Sequence, residues 1–238
     1  MTLGGVKIDR IGINQSEKTV RFLGLWVGDT STFIDHIGKI KLKIGLGLYH
    51  LASAKHNSPL KVRLNIYRAL IESQLSFANI IYGSAPDKTI HELFIMQKKA
   101  IRHISLAHYI AHTNPLFTKL KLLKLIDLIS HSRACIVHQF RSGYLPKSFK
   151  RDFFIFVDCQ NHGRREDSLC VLIPQTHFKD LDKSPYVMIC KAWNAIPFEI
   201  KTIAKYSAFK IALKEHYISK YNEICSTENC RACVRLRD

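Results

Sequence analysis

Apolar positions in the first thirty residues alternate with polar ones. Val6, Ile8, Ile11 and Ile13 precede a polar run from Asn14 to Lys18, and Val20, Phe22, Leu23, Leu25 and Val27 follow it. Two β-branched runs about a short polar connector predict a β-hairpin over residues 1–30. The period then changes from two to nearly four. Thr32, with Asp35 three positions on, has the spacing of a capping box. Phe33, Ile37, Ile40, Ile44, Leu48 and Leu51 form one stripe of an amphipathic helix, weakened but not broken by Gly45 and Gly47.

Ser58-Pro59 is a start signal, and Gly83 a stop. Leu60, Leu64, Tyr67, Ile71, Leu75 and Ala78 predict one helix between them. A third follows Pro86, with Ile90, Leu93, Gln97, Ala100, Ile101 and Ile104 inward. Pro115 opens a short helix, a longer one covers about 126 to 141 and stops at Gly143, and a last one spans about 207 to 221. Residues 144–192 carry loop signals at Pro146, Gly163, Pro174 and Pro185. The expected fold is mainly α: an N-terminal β-hairpin (1–30), a basic helical bundle (31–110), and a mixed, mostly helical C-terminal region with a cysteine-containing tail (111–238).

Charge sharpens this picture. The 238 residues hold 36 Lys and Arg against 19 Asp and Glu, a net +17. Residues 1–38 balance at four of each sign. Residues 39–150 hold eighteen basic and four acidic side chains, and residues 151–238 hold fourteen and eleven. A surplus concentrated in the middle of the chain points to a polyanionic partner. Lys39 and Lys43 share a helix face with Lys41 flanking the inner stripe; Lys61 and Arg68 share another, with Arg63 nearby; Lys98 and Arg102 pair beside Lys99. These stripes could line a groove for a phosphate backbone, or could simply solvate the bundle.

Nothing near Met1 reads as a signal peptide, and no apolar run is long enough to span a membrane. Seven scattered cysteines fit a disulfide framework poorly, so a reducing, intracellular compartment is expected, the nucleus among the candidates. Cys225, Cys230 and Cys233 have metal-like spacing, with His216 or His162 as a fourth zinc ligand; the alternative is an exposed tail without metal. His36, His50, His103, His108 and His138 fall on no catalytic pattern, and no phosphate-cradling glycine loop is present. Trp26, Trp193 and Phe22 read as core residues.

Several segments, taken in order, resemble a known family. Val20-Arg21-Phe22-Leu23-Gly24-Leu25-Trp26-Val27 is similar to the primer-grip hairpin of reverse transcriptases from non-LTR retrotransposons. Phe33 to Ile37, Tyr67 to Leu75, Ile81 to Ser84 and Met96 to Arg102 resemble their thumb. His112 to Phe117, Leu122 to Leu128, Lys191 to Pro197 and Phe209 to Tyr217 resemble the region that follows in jockey-like elements. The resemblance covers nearly the whole chain. It implies an RNA-directed DNA polymerase whose thumb clamps a template–primer duplex, with Phe22, Gly24 and Trp26 at the primer end and Lys39, Lys43, Lys61, Arg68, Lys98, Lys99 and Arg102 on phosphates.

The family's palm carries Asp-Asp for the two metals of nucleotidyl transfer; this sequence has no Asp-Asp pair. His162-Gly163-Arg164-Arg165 stands where the family has a His-x-x-Arg-like element. The expectation is a C-terminal part that is inactive alone, with no catalytic residue, magnesium belonging to the missing palm, and palm and fingers as further partners. The alternatives are a stand-alone basic RNA/DNA-binding module, or a protein that meets an acidic partner.

Overall fold

The computed structural model describes residues 2–3, 6–7, 19–28, 33–146, 153–156, 169–173 and 183–222. The chain is mainly helical after an N-terminal antiparallel hairpin. The hairpin differs from the expected one. Strands β1 (Thr2–Leu3) and β2 (Val6–Lys7) pair with each other, and β3 (Thr19–Phe22) pairs with β4 (Leu25–Gly28), so the second apolar run folds on itself. The reason is the two-residue turn Leu23-Gly24, with φ of 46° and 88°. Positive φ at both central positions gives the turn that matches strand twist.

Helix α1 (Ile34–Ser53) buries Ile37, Ile40, Ile44 and Leu51, as the stripe predicts. Phe33, not Thr32, occupies its cap position, and Thr32 lies outside the described residues. Gly47 is also buried: a Cβ there would stand 2.9 Å from Ile71 Cγ1, so the glycine lets the next helix approach.

The single helix expected from Pro59 to Gly83 is instead four pieces. They are α2 (Leu60–Tyr67), a π turn (Arg68–Glu72), α3 (Ser73–Ser76) and α4 (Asn79–Tyr82). Tyr67, Ile71 and Leu75 recur at strict intervals of four and are all buried. That interval overshoots one α-helical turn, and a wider i→i+5 turn absorbs the drift. The helix breaks at Phe77 and Ala78, the latter at φ 52°. Folding back there brings the Tyr82 hydroxyl to the Leu75 carbonyl at 2.5 Å, which satisfies a helix-end acceptor. Ser58 does not cap α2; its hydroxyl donates to Ala54 O.

Helices α5 (Asp87–Ser105), α6 (Asn114–Leu120) and α7 (Leu125–Arg141) follow, near the expected bounds. The mixed stretch with loop signals contains a helix at its end, α8 (Pro185–Asn194): Pro185 sits at its first position and Ser184 Oγ accepts from Val187 N at 3.4 Å. That is where proline begins helices rather than breaking them. Short α9 (Phe198–Lys201), α10 (Tyr206–Ser219) and a 3₁₀ turn (Lys220–Asn222) complete the order.

Two apolar clusters hold these elements. The first joins α1 to α6, the start of α7 as far as Ile129, and Tyr221, so it runs past the expected boundary at 110. The second begins at Ala134 and takes in Phe154, Val171, α8 and α10 around buried Trp193 and Phe209. Among the described residues no helix is long and apolar enough to cross a membrane.

Candidate nucleic-acid interface

The β3–β4 turn stands over the break between α3 and α4: a Cβ on Gly24 would lie 3.0 Å from the Phe77 ring. Phe22 is 65% exposed, so it is a surface residue and not core. Trp26 is half-buried, with Lys39 Nζ 5.4 Å from its ring centroid. An ammonium over an indole is held in place without losing its charge. Trp193 is fully buried, as expected, and donates through Nε1 to Leu169 O at 2.6 Å. The structure thus gathers Phe22, Gly24, Trp26 and Lys39 at one corner.

The basic side chains divide into two kinds. Lys39, Lys43, Lys61, Arg68 and Lys99 are exposed. Lys98 is not. It is 3% exposed, its ammonium 4.4 Å from the Phe94 ring, and this burial removes it from the surface set. Its stem reaches back along α5 onto a ring one turn earlier, a direction that helical side chains favour. Arg102 is half-buried, and its Nε donates to Ala111 O at 3.0 Å, so it holds the connector after α5. Arg63 is buried and binds the carbonyls of Ile104, Lys55 and Ser58.

Nor do the stripes share one groove. Lys41 pairs with Glu92 on the side of α1 that faces α5. Lys39 lies two residues earlier, about 200° around the helix, beside the hairpin. The outward face of α1 carries exposed Leu42, Leu46 and Tyr49, which one-sided helix reasoning missed. Gly38 and Gly45 leave open space on that helix, with no atom within 4 Å of a Cβ placed there.

The charged and polar groups deeper in the bundle are structural. Gln97 donates to Tyr67 Oη and Leu123 O at 2.9 Å each and accepts from Leu125 N at 2.8 Å. His36 is buried with neither ring nitrogen hydrogen-bonded; burial, then Lys43, lowers its pKa. Cys135 lies 3.8 Å from His131 Nδ1, a pairing that resembles a nucleophile and its base. Burial pushes that thiol up to about 11, which leaves it protonated and unreactive near neutrality.

Cys225, Cys230, Cys233 and His162 lie outside the described residues; His216 is half-buried on α10. Among the described residues no group of three or more potential metal ligands occurs. Contacts that no local pattern shows are the Lys124 ammonium 4.1 Å from the Tyr221 ring centroid and the Tyr221 hydroxyl on Asp127. Comparison with protein-family models, curated proteins and solved structures returns no match.

Proposed function

We propose that this chain grips nucleic acid through phosphate contacts, as the thumb and C-terminal part of a non-LTR retrotransposon reverse transcriptase holding a template–primer duplex, with the nucleus as its compartment. The observation that carries the reading is the charge left uncompensated on residues 39–150. Of the four acidic residues there, Glu92 is bound to Lys41, Asp127 to the Tyr221 hydroxyl, Glu72 is half-buried near Arg68 and Lys214, and Asp87 alone stands exposed, in the first turn of α5. Lys39, Lys43, Lys61, Arg68 and Lys99 remain exposed. The α1 face adds to this. A strip of Leu42, Leu46, Tyr49 and open glycines, bordered by lysines, suits sugar edges with phosphates alongside.

This chain's own carboxylates do not fit the two-metal site of nucleotidyl transfer, since no Asp-Asp pair occurs, and no catalytic step is assigned to it. Its part in the reaction is to hold the duplex for a palm that supplies the metal ligands. The leucine strip favours a second reading, an acidic amphipathic protein helix docked on α1.

Fluorescence anisotropy with a blunt duplex across a salt series separates the two. Steep, sequence-independent salt dependence is expected. Changing Lys39, Lys43, Lys61 and Lys99 to Gln together flattens the log–log slope by up to about 3.6, at roughly 0.9 per phosphate contact. The same change at exposed Lys183, Lys205, Lys210 and Lys220 leaves it nearly intact. Equal effects mean generic cationic attraction and overturn the proposal, and absence of saturable duplex binding leaves the protein-partner reading.

A further inference from the structure

Residues 169–171 are pinned to α8 on both sides of Cys170. Trp193 Nε1 donates to Leu169 O at 2.6 Å. The Asn194 side chain takes both backbone groups of Val171: Oδ1 accepts from its amide at 2.8 Å, and Nδ2 donates to its carbonyl at 2.9 Å. A β-bridge between Phe156 and Val171 ties the same stretch to residues 153–156. Cys170 therefore sits on a fixed backbone. Its thiol is half-buried, whereas Cys135 and Cys190 are buried.

The group aimed at that thiol is Lys201, the last residue of α9. Its Nζ donates to Cys170 Sγ at 3.6 Å and to Asn194 O at 3.2 Å, and stands 6.0 Å from the Trp193 ring centroid. Arg141 Nη1 fixes the backbone here, donating to Lys201 O at 2.6 Å. Lys201 is only 3% exposed, and among the described residues no carboxylate pairs with it. A buried ammonium without a counter-charge is costly, so it favours whatever places negative charge beside it. The Asn194 carbonyl cannot become an anion. An oxidised Cys170 sulfur can.

We propose that Cys170 is a modification site at which hydrogen peroxide oxidises the thiol to sulfenic acid, with Lys201 as the positioning residue that holds the oxidised sulfur. Sγ attacks one peroxide oxygen; an S–O bond forms and the O–O bond breaks. Sulfur is oxidised and peroxide reduced. The thiol proton reaches the leaving hydroxide by way of solvent, so thiol and peroxide give sulfenic acid and one water. The new oxygen, as sulfenate, accepts from Lys201 Nζ and supplies the missing counter-charge. The step is reversible by a thiol reductant. Burial pushes the Cys135 thiol up to about 11 and raises that of Cys190, so neither competes. The inference is independent of the nucleic-acid reading.

The test treats the whole chain with hydrogen peroxide, traps sulfenic acid with dimedone, and reads Cys135, Cys170 and Cys190 in separate tryptic peptides by mass spectrometry. Cys170 should be labelled about tenfold faster than the other two. Lys201→Gln keeps a donor for Asn194 O but removes the charge, and should slow labelling of Cys170 by about tenfold, the worth of a hydrogen bond to a charged group. Lys201→Arg, which keeps the charge, should hold the rate. Lys205→Gln, which removes an exposed charge four residues on, should leave it unchanged. Equal labelling of the three thiols, or an unaltered Cys170 rate in folded Lys201→Gln, overturns the proposal. If circular dichroism shows that Lys201→Gln does not fold, the wild-type ranking of the three thiols decides.

Discussion

Arg63 holds the last turn of α5 from across the bundle: its Nε donates to the Ile104 carbonyl at 2.9 Å. The same guanidinium reaches Lys55 O at 3.2 Å and Ser58 O, so one cation serves carbonyls at the end of α5 and in the connector between α1 and α2. Such carbonyls lack intrahelical partners, and burial makes their loss of a donor expensive.

Arg63→Met should therefore destabilise the fold by about 3 kcal/mol, from two or three carbonyls left without donors. Urea unfolding followed by circular dichroism reads this directly. Lys61→Gln, two residues away and exposed, should stay within about 0.5 kcal/mol of wild type. Similar effects from both would mean that Arg63 acts only through surface charge.

Gln97 offers a sharper case, because its amide is matched atom by atom. Two donors go to Tyr67 and Leu123, and the carbonyl takes the Leu125 amide at the start of α7. Gln97→Glu removes both donors and places a charge in a fully buried site. It should cost more than Gln97→Leu, which leaves the partners unpaired but buries no charge, at about 1–3 kcal/mol per unsatisfied group. The ranking of the two variants in thermal unfolding at neutral pH checks it.

Acid should weaken the fold through its histidines. His138 is buried, stacked 4.2 Å from Phe209, with Nε2 at 2.8 Å from Ile203 O and Nδ1 at 3.4 Å from Ser142 Oγ. A neutral ring with the proton on Nε2 fits both contacts, since Ser142 can donate to Nδ1. Burial lowers its pKa; the Ile203 contact opposes this, and Arg141 adds to it. His131 is likewise lowered, first by burial. A base whose folded pKa is depressed contributes stability above its unfolded value of about 6.5, and that stability is lost as pH falls through the folded value. Unfolding free energy should thus decline below about pH 6.5, with less decline in His138→Gln; a profile unchanged by that substitution would count against the assignment.

What the amino-acid string made legible was periodicity. The stripes of α1, α5 and α7 could be read because each buries one face for several turns. Helix α8 was hidden because Pro185 looks like a breaker until Ser184 is seen capping it. The charges were harder. Arg63, Lys98 and Lys61 look alike in a basic stripe, and only packing distinguishes a guanidinium under the α5 terminus, an ammonium over Phe94 and a free lysine. The contact of Lys124 with Tyr221 was invisible for another reason: the two lie 97 residues apart, and no local pattern announces that they meet.

Gly45 and Gly47 are alike in the sequence as weak points of α1 but differ in what surrounds them. Gly45 is exposed with no atom within 4 Å of an added Cβ. Gly47 would place that atom 2.9 Å from Ile71 Cγ1, 3.2 Å from Leu70 Cβ and 3.3 Å from Leu70 O. Gly45→Ala therefore gains helix propensity and meets nothing, so it should stabilise by about 0.5–1 kcal/mol. Gly47→Ala gains the same propensity but must push α1 off the π turn, at a cost of about 1–3 kcal/mol for overpacking. The two substitutions should move the unfolding midpoint in opposite directions. Stabilisation by both would mean that α1 does not cross the π turn as closely as Gly47 allows.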